Sequence, residues 1–389
     1  MKIIFLSYSD YKGGASIAAH AIYRSIKIKN AVFLTVDNKY KYSKKLYSFF
    51  GKIYIFSLRV IEKIIIFFFC KRKFHQSLNI FKTFTQKKIS NYLPEIINIH
   101  WVNRSMISIK EMSNFKEKIV ISLHDMWFLN STEHYFTNQN YKMDFISKYC
   151  WKQKKNFIYK KNVFFIAHNN WMVKNFKKIH PLLKKKIFLS RYYPINTKIF
   201  KPRNKILLRK KYNIPRNKKI IFFSAQDITD ERKGFVYFKK IINKLKSNGD
   251  FYFISLGKNN ENLLNIKNHK HFDFLSNNKT AEIYSLSDIY ICTSLIDNLP
   301  LTILEALSSG NLVLSFKNGG SEEVLKNIGY TYSVSSVNKM IKLLETINDQ
   351  TIKQKSILAR RFALKNLNYH IINKQYSKIF NSINKYKIH

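Results

Sequence analysis

Two carboxylates, Asp297 and Glu305, stand on either side of a Leu299-Pro300 turn in residues 294–323. A carboxylate is an acceptor-only group and can grip neighbouring hydroxyls of a ribose or a hexose. From Glu305 the sequence predicts an apolar helical run that stops at Gly310; a strand-like run over 312–316 and a glycine pair, Gly319-Gly320, follow. Acids, a helix N-terminus with unpaired N–H groups, and glycines that let the backbone approach closely together suit a polyhydroxylated, anionic ligand. Taken singly, Glu305 reads as a helix-start acid favoured by the dipole, and Asp297 as a turn residue. Their combination with the turn and the glycines is what points to a site. Glu323, three residues beyond the pair, reads equally well as an acid in the first turn of a helix.

Three more constellations carry chemistry. Ser9-Asp10-Tyr11-Lys12-Gly13-Gly14-Ala15 lies between an expected strand and an expected helix over 16–26. Gly13 and Gly14 allow close approach to a ligand that the helix N-terminus faces, although a tight turn uses the same residues. In Ile121-Ser122-Leu123-His124-Asp125-Met126-Trp127 a strand runs into a polar, aromatic loop. Ligands of open parallel sheets gather beyond the carboxyl ends of strands, which is where His124 and Asp125 fall. The third, residues 224–235, ends in Arg232-Lys233-Gly234-Phe235. A guanidinium fork beside a point charge can neutralise a diphosphate, but an Arg-Lys pair alone means little in so basic a chain.

The elements that position these residues follow from pattern and length. With 389 residues, 46% of them hydrophobic, the chain is long enough for two ordinary domains and too apolar to be largely disordered. Short apolar runs alternate with helical patterns, the mark of α/β layering around parallel sheets. Strands are expected over 3–7, 32–36, 96–100, 119–123 and 163–167, and again over 220–224, 251–256, 289–293 and 312–316. Between the sets, Tyr193-Pro194 through Lys201-Pro202 reads as a linker. The expected domains are 1–194, 195–365 and a C-terminal helix, 366–389.

Lys and Arg number 69 against 23 acids, a net charge of +46 spread along the whole chain. Part of this follows from a composition rich in Lys, Asn, Ile, Phe and Tyr and poor in Gly, Pro and Ala. The rest predicts attraction to an anionic membrane surface. No nucleic-acid module pattern is present, so no nucleic-acid partner is expected. Cys70, Cys150 and Cys292 are odd in number, far apart in sequence and without zinc spacing, which fits a reducing cytosolic compartment and no metal. The first apolar run is too short for a signal peptide and reads as a buried strand. Residues 53–69 are strongly apolar but carry Arg59, Glu62 and Lys63, with Lys52 before them and Lys71-Arg72-Lys73 after. Three readings stay open there: a core helix, an interfacial helix with basic flanks, and, against the charges, a spanning helix.

Residues 294–323, with acid, seven residues and glutamate, resemble the nucleotide-sugar site of retaining glycosyltransferases of the GT-B fold, family four (glycosyl transferases group 1). Gly13-Gly14-Ala15, Lys233-Gly234 and the His124-Asp125-Met126-Trp127 string resemble that family too. The last, with residues 98–103 and Glu133-His134-Tyr135, is similar to a branch active in bacterial surface polysaccharide synthesis. The resemblance implies two Rossmann-like domains with parallel sheets facing a cleft, and a last helix that returns to the first domain. It implies transfer from a nucleotide diphosphate sugar to a glycan or lipid-linked acceptor, with retention, without metal or other cofactor. Independently of the resemblance, the cysteines lead to an expected cytoplasmic location, and the net charge with residues 53–73 makes peripheral attachment to the inner face of the cytoplasmic membrane an open alternative. In the family's scheme Asp297, with the backbone at Leu299 and Pro300, would hold the donor sugar, and Glu305 the ribose. Lys233 and Arg232 would hold the diphosphate, the Gly13-Gly14 loop would lie near the donor phosphates and acceptor, and His124 and Asp125 would face the transferred sugar or the acceptor. Two departures stand out: Asp297 replaces the usual Glu, and Ile228 stands where an Arg is usual, so that Arg232 would have to substitute. They leave a non-catalytic nucleotide-sugar binder, or a phosphorylase or epimerase of the same fold, as alternatives. Neither a hydrolase-like carboxylate pair nor a D-x-D motif stands out.

Overall fold

A computed structural model gives the protein's structure over residues 1–70, 75–135, 143–259 and 268–386. The chain forms two compact units, Met1–Arg191 with Asn373–His389, and Tyr192–Ile372. The first is built on a parallel seven-stranded sheet: β1 (Ile3–Leu6), β2 (Ala31–Thr35), β3 (Ser43–Lys45), β4 (Ile96–Ile99), β5 (Lys118–Ser122), β6 (Val163–Ala167) and β7 (Ile187–Leu189). Their spatial order is β3-β2-β1-β4-β5-β6-β7. The second unit has a parallel six-stranded sheet: β8 (Lys219–Asp227), β9 (Phe251–Lys258), β10 (His269–Phe272), β11 (Ile289–Cys292), β12 (Leu312–Phe316) and β13 (Tyr330–Tyr332). Its order is β10-β9-β8-β11-β12-β13.

Central strands such as β1, β4, β6, β11 and β12 are buried at every position, as continuous apolar runs covered on both faces should be. Both sheets are doubly wound, and each changes direction once. The switch falls between β1 and β4 in the first sheet and between β8 and β11 in the second. Crevices at such points, outside the carboxyl ends of the strands, are where open α/β sheets take their ligands. The loops that leave β1, β4, β8 and β11 carry most of the residues singled out above.

The helix Tyr369–Lys385 supplies its later turns to the first unit. Phe380 packs edge-on against Phe5 of β1 at 6.1 Å, and the Tyr376 hydroxyl lies 3.5 Å from Ser122 Oγ at the end of β5.

The apolar segment around 53–69 forms a helix, Phe49–Phe69, whose N-cap Ser48 accepts from Gly51 N. Only Ile55, Leu58 and Glu62 of its 21 residues are buried, so it is not an ordinary core helix. Among the described residues, no helix is long and apolar enough to cross a membrane. The basic triplet Lys71-Arg72-Lys73 lies outside the described residues. Cys70 and Cys150, distant in sequence, share one small buried cluster with Leu78 as thiols rather than a disulfide. Burial pushes the Cys150 thiol up to about 12, which makes it inert.

Candidate functional site

In the second unit, β8 gives way to a short 3-10 turn, Glu231–Lys233, started by Asp230, whose carboxylate accepts from Arg232 N at 3.0 Å. Gly234 ends the turn with φ +65°, and a Cβ there would lie 2.1 Å from the Thr293 carbonyl oxygen. Glycine is therefore required on both counts, and it lets this turn lie directly on the loop after β11. Leu295 N donates to Arg232 O at 2.8 Å and locks the two loops together. The close approach brings Lys233 Nζ to 2.7 Å from Asp297 Oδ2. Arg232 lies 3.5 Å from the same oxygen, donates to Ile296 O at 3.2 Å and pairs with Asp230 at 3.1 Å. The pair thus spans the switch point between β8 and β11.

Asp297 is fixed through its backbone as well. Its N–H donates to Asn318 O at 2.7 Å, and Gly320 N donates to Asn298 O at 2.8 Å, so the glycine-pair loop after β12 braces the acid. Burial alone would raise the Asp297 carboxyl, but Lys233 and Arg232 outweigh it and hold the group below its ordinary range. Ile228, at the position where the family resemblance expects an arginine, is buried in the apolar core. The guanidinium present at this edge is that of Arg232.

The helix behind the Leu-Pro turn is Leu301–Ser309, with Pro300 at its N-cap and Gly310 ending it at φ 78°. Glu305 therefore does not open this helix. It sits in the second turn, where the terminal dipole has faded, so dipole stabilisation does not account for it. Pro300 has no side-chain cap to offer the first-turn N–H groups. The Glu305 carboxylate is half-buried and accepts from the Tyr284 hydroxyl. That hydroxyl is 3.0 Å from Ser224 Oγ, which is also 3.2 Å from the Tyr290 hydroxyl. Desolvation pushes Glu305 up to about 7, against a smaller opposing pull from Tyr284. Ser224, Tyr284 and Tyr290 come from three separate elements; Ser224 begins the 224–235 constellation, whereas the two tyrosines belong to no motif. Nothing local in the sequence signals the tyrosines, which long-range contact brings to Ser224.

In the first unit, Gly13 takes φ 89° and starts the helix Gly14–Ser25. Only Gly13 needs positive φ, and a Cβ on Gly14 would meet open space. The loop before it is held by hydrogen bonds: Asp10 accepts from Lys39 N at 2.9 Å and Tyr40 N at 3.2 Å, and Ser9 Oγ accepts from Tyr11 N and Lys12 N. His124, at the carboxyl end of β5, is buried and lies 2.8 Å from His100 Nδ1 through its Nε2. Its other face stacks on His168, ring centroids 5.5 Å apart. Burial first, then His100 and His168, drive the pKa of His124 well below its ordinary value, so the ring is neutral. Asp125 accepts from Trp127 N at 2.9 Å and Trp101 Nε1 at 3.2 Å, and lies 2.5 Å from His134 Nδ1. Three strings that are separate in sequence, 98–103, 121–127 and 133–135, thus form one polar cluster in which Asp125 positions Trp101 and His134.

The second-unit site can hold an anionic, polyhydroxylated ligand: two cations and a backbone edge for phosphate, and one acid in a helix for neighbouring hydroxyls. The family model of Glycosyl transferases group 1 matches residues 204–361, which contain this whole site. Solved structures align along almost the entire chain. A glycosyltransferase from Rickettsia africae ESF-5 shares 17% identity over 99% of this chain and 99% of its own, with a TM-score of 0.68. Anabaena HepE, solved in complex with UDP-glucose, shares 14% over 98% and 100%, at 0.69. WaaG, a glycosyltransferase involved in lipopolysaccharide biosynthesis, shares 12% over 97% and 99%, at 0.67. Identities this low establish the fold, which is GT-B: two parallel-sheet α/β domains. No curated protein sequence matches the chain at a significant level.

Proposed function

We propose that the protein is a retaining glycosyltransferase that moves a sugar from a nucleotide diphosphate sugar to a glycan or lipid-linked acceptor in surface polysaccharide synthesis. The observation that carries this reading is the Lys233–Asp297 pair across the second sheet's switch point, with Glu305 in the helix behind it. The match of residues 204–361 to a glycosyltransferase family supports it. The second unit binds the donor: Glu305 takes the ribose hydroxyls, Lys233 and Arg232 take the diphosphate, and Asp297 with the backbone at Leu299 and Pro300 takes the sugar. The first unit takes the acceptor, near the Gly13-Gly14 loop and the His124-Asp125 cluster.

Transfer breaks the bond between the anomeric carbon and the β-phosphate oxygen and forms one to the acceptor oxygen on the same face. The acceptor proton passes to the departing phosphate. Lys233, Arg232 and uncapped helix N–H groups stabilise the negative charge that builds on the diphosphate, so positioning and fixed charge supply the rate. No metal takes part, and chelator should leave the rate unchanged. The polysaccharide role rests on the His124-Asp125-Met126-Trp127 string and its neighbours. Proton NMR of turnover with an α-linked donor tests the chemistry: an α-linked product is expected. A β-linked product, free sugar, or an isomerised donor would overturn the reading.

A further inference from the structure

The helix Phe49–Phe69 turns its apolar side the wrong way for a soluble fold. Positions 55, 58 and 62 face the protein, one stripe at helical spacing. The opposite arc carries Phe49, Ile53, Phe56, Val60, Ile64 and Phe67, all exposed, with Phe67 at 80% and Phe49 at 73%. Phe50 and Phe68 flank it at 79% and 67%. A contiguous apolar face of this length, about 30 Å at 1.5 Å per residue, marks an interaction surface.

Charge names the partner. Between Lys39 and Leu93 the sequence holds 13 Lys or Arg against a single acid, Glu62. That acid does not reach the surface: it is buried, accepts from the backbone N–H groups of Leu78 and Asn79, and lies 2.5 Å from Ser105 Oγ. The one acid of this stretch of sequence thus serves to pin the helix to the first unit. Lys52, Arg59 and Lys63 follow one another along one edge of the outward arc at helical spacing. Beside the helix, Phe84 is exposed and takes φ 60°, a strained conformation for an aromatic residue, with its ring 6.3 Å from that of Tyr54 and with Lys82 Nζ 4.9 Å above it. A second copy of the chain would set one basic field against another across any such contact.

We infer that Phe49–Phe69 lies in the interface of an anionic lipid bilayer, its Phe-rich arc among the acyl chains and its basic edge at the headgroups. The helix does not cross the bilayer, because Glu62 holds its inner face to the protein. This surface is independent of whether the chain transfers sugar.

The test is sedimentation of the full-length protein with phosphatidylcholine vesicles, with and without phosphatidylglycerol, and an engineered reporter, Phe67→Trp. The expected results are pelleting with the anionic vesicles only, reversal by salt, and a blue-shifted tryptophan emission quenched by brominated acyl chains. Exchanging Phe56, Val60 and Phe67 together for Ser should weaken binding by about ten-fold or more. No pelleting, or pelleting with an unchanged emission of Phe67→Trp, would overturn the inference. An emission shift that follows protein concentration without lipid, together with dimer sedimentation, would assign the face to a second copy instead.

Discussion

Lys233 Nζ lies 2.7 Å from Asp297 Oδ2, joining two loops 64 residues apart in sequence across the switch point of the second sheet. Neither side chain is well exposed, at 22% and 13%, so this is not a solvated surface pair. Removing one partner leaves a charge without its counter-ion in a partly desolvated setting.

Lys233→Met and Asp297→Asn should each cost about 1–3 kcal/mol of stability, and the double variant less than their sum. Urea denaturation of the four proteins measures the coupling. Lys233→Met should also lower kcat by about 10²–10³, because the same cation is assigned to the leaving diphosphate. Equal kcat in wild type and Lys233→Met would remove Lys233 from the chemistry. The Asp297 carboxyl is held below its ordinary value, so its contribution to stability is complete above the unfolded value of about 3.9 and fades as pH falls below it.

Gly234→Ala tests the geometry without altering any charge. The new methyl would meet Thr293 O at 2.1 Å on a backbone with φ +65°. The left-handed conformation alone costs about 1–2 kcal/mol, and the clash must push the Arg232-Lys233 turn off the Asp297 loop. Donor affinity should fall together with stability. Unchanged thermal stability in Gly234→Ala would show that the turn can shift freely.

Glu305 predicts a pH dependence of opposite sign to that of Asp297. Its carboxyl is pushed up from an unfolded value of 4.5 to about 7, so the folded state keeps a proton that the unfolded chain gives up. Stability should therefore fall as pH rises from 4.5 towards 7, and Glu305→Gln should flatten that slope. Donor affinity should run the other way, rising through pH 7 as the carboxylate becomes a full acceptor for the ribose hydroxyls. Denaturation and titration calorimetry at several pH values, on wild type and Glu305→Gln, check the two slopes. A flat affinity profile in wild type would separate Glu305 from the ribose.

The buried imidazoles of the first unit give a third profile. Burial holds His100 and His124 neutral, well below the ordinary 6.5. Below that value the unfolded chain binds protons that the folded one refuses, so stability should drop as pH falls from 6.5. The slope is at most about 1.4 kcal/mol per pH unit for each ring. Denaturation of wild type and His100→Gln at descending pH should show the shallower loss in the variant.

Much of the fold is legible in the sequence, and the strands that are not share one cause. The nine expected strands all form, most of them shifted by one or two residues at their ends. The four that pattern reading misses, β3, β7, β10 and β13, are the edges of the two sheets. Edge strands here are only three or four residues long and mostly half-exposed, so they lack the continuous apolar run that marks a buried strand. The helix at Glu305 begins four residues earlier than the acid suggested, since Pro300 is a better start signal than a carboxylate. Asp297, Lys233 and Glu305 were visible because the segments that carry them are marked by glycines and a proline. Tyr284 and Tyr290 were not, because burial and long-range contact select them rather than local backbone geometry.

The central claim is that the second unit holds a nucleotide sugar through Glu305. Calorimetric titration of UDP-, GDP- and ADP-sugars into wild type and Glu305→Ala tests it most directly. The account predicts that one donor class binds wild type and that binding is lost in Glu305→Ala while the fold is retained. Folded wild type that binds no donor, or Glu305→Ala that binds as tightly as wild type, would contradict it.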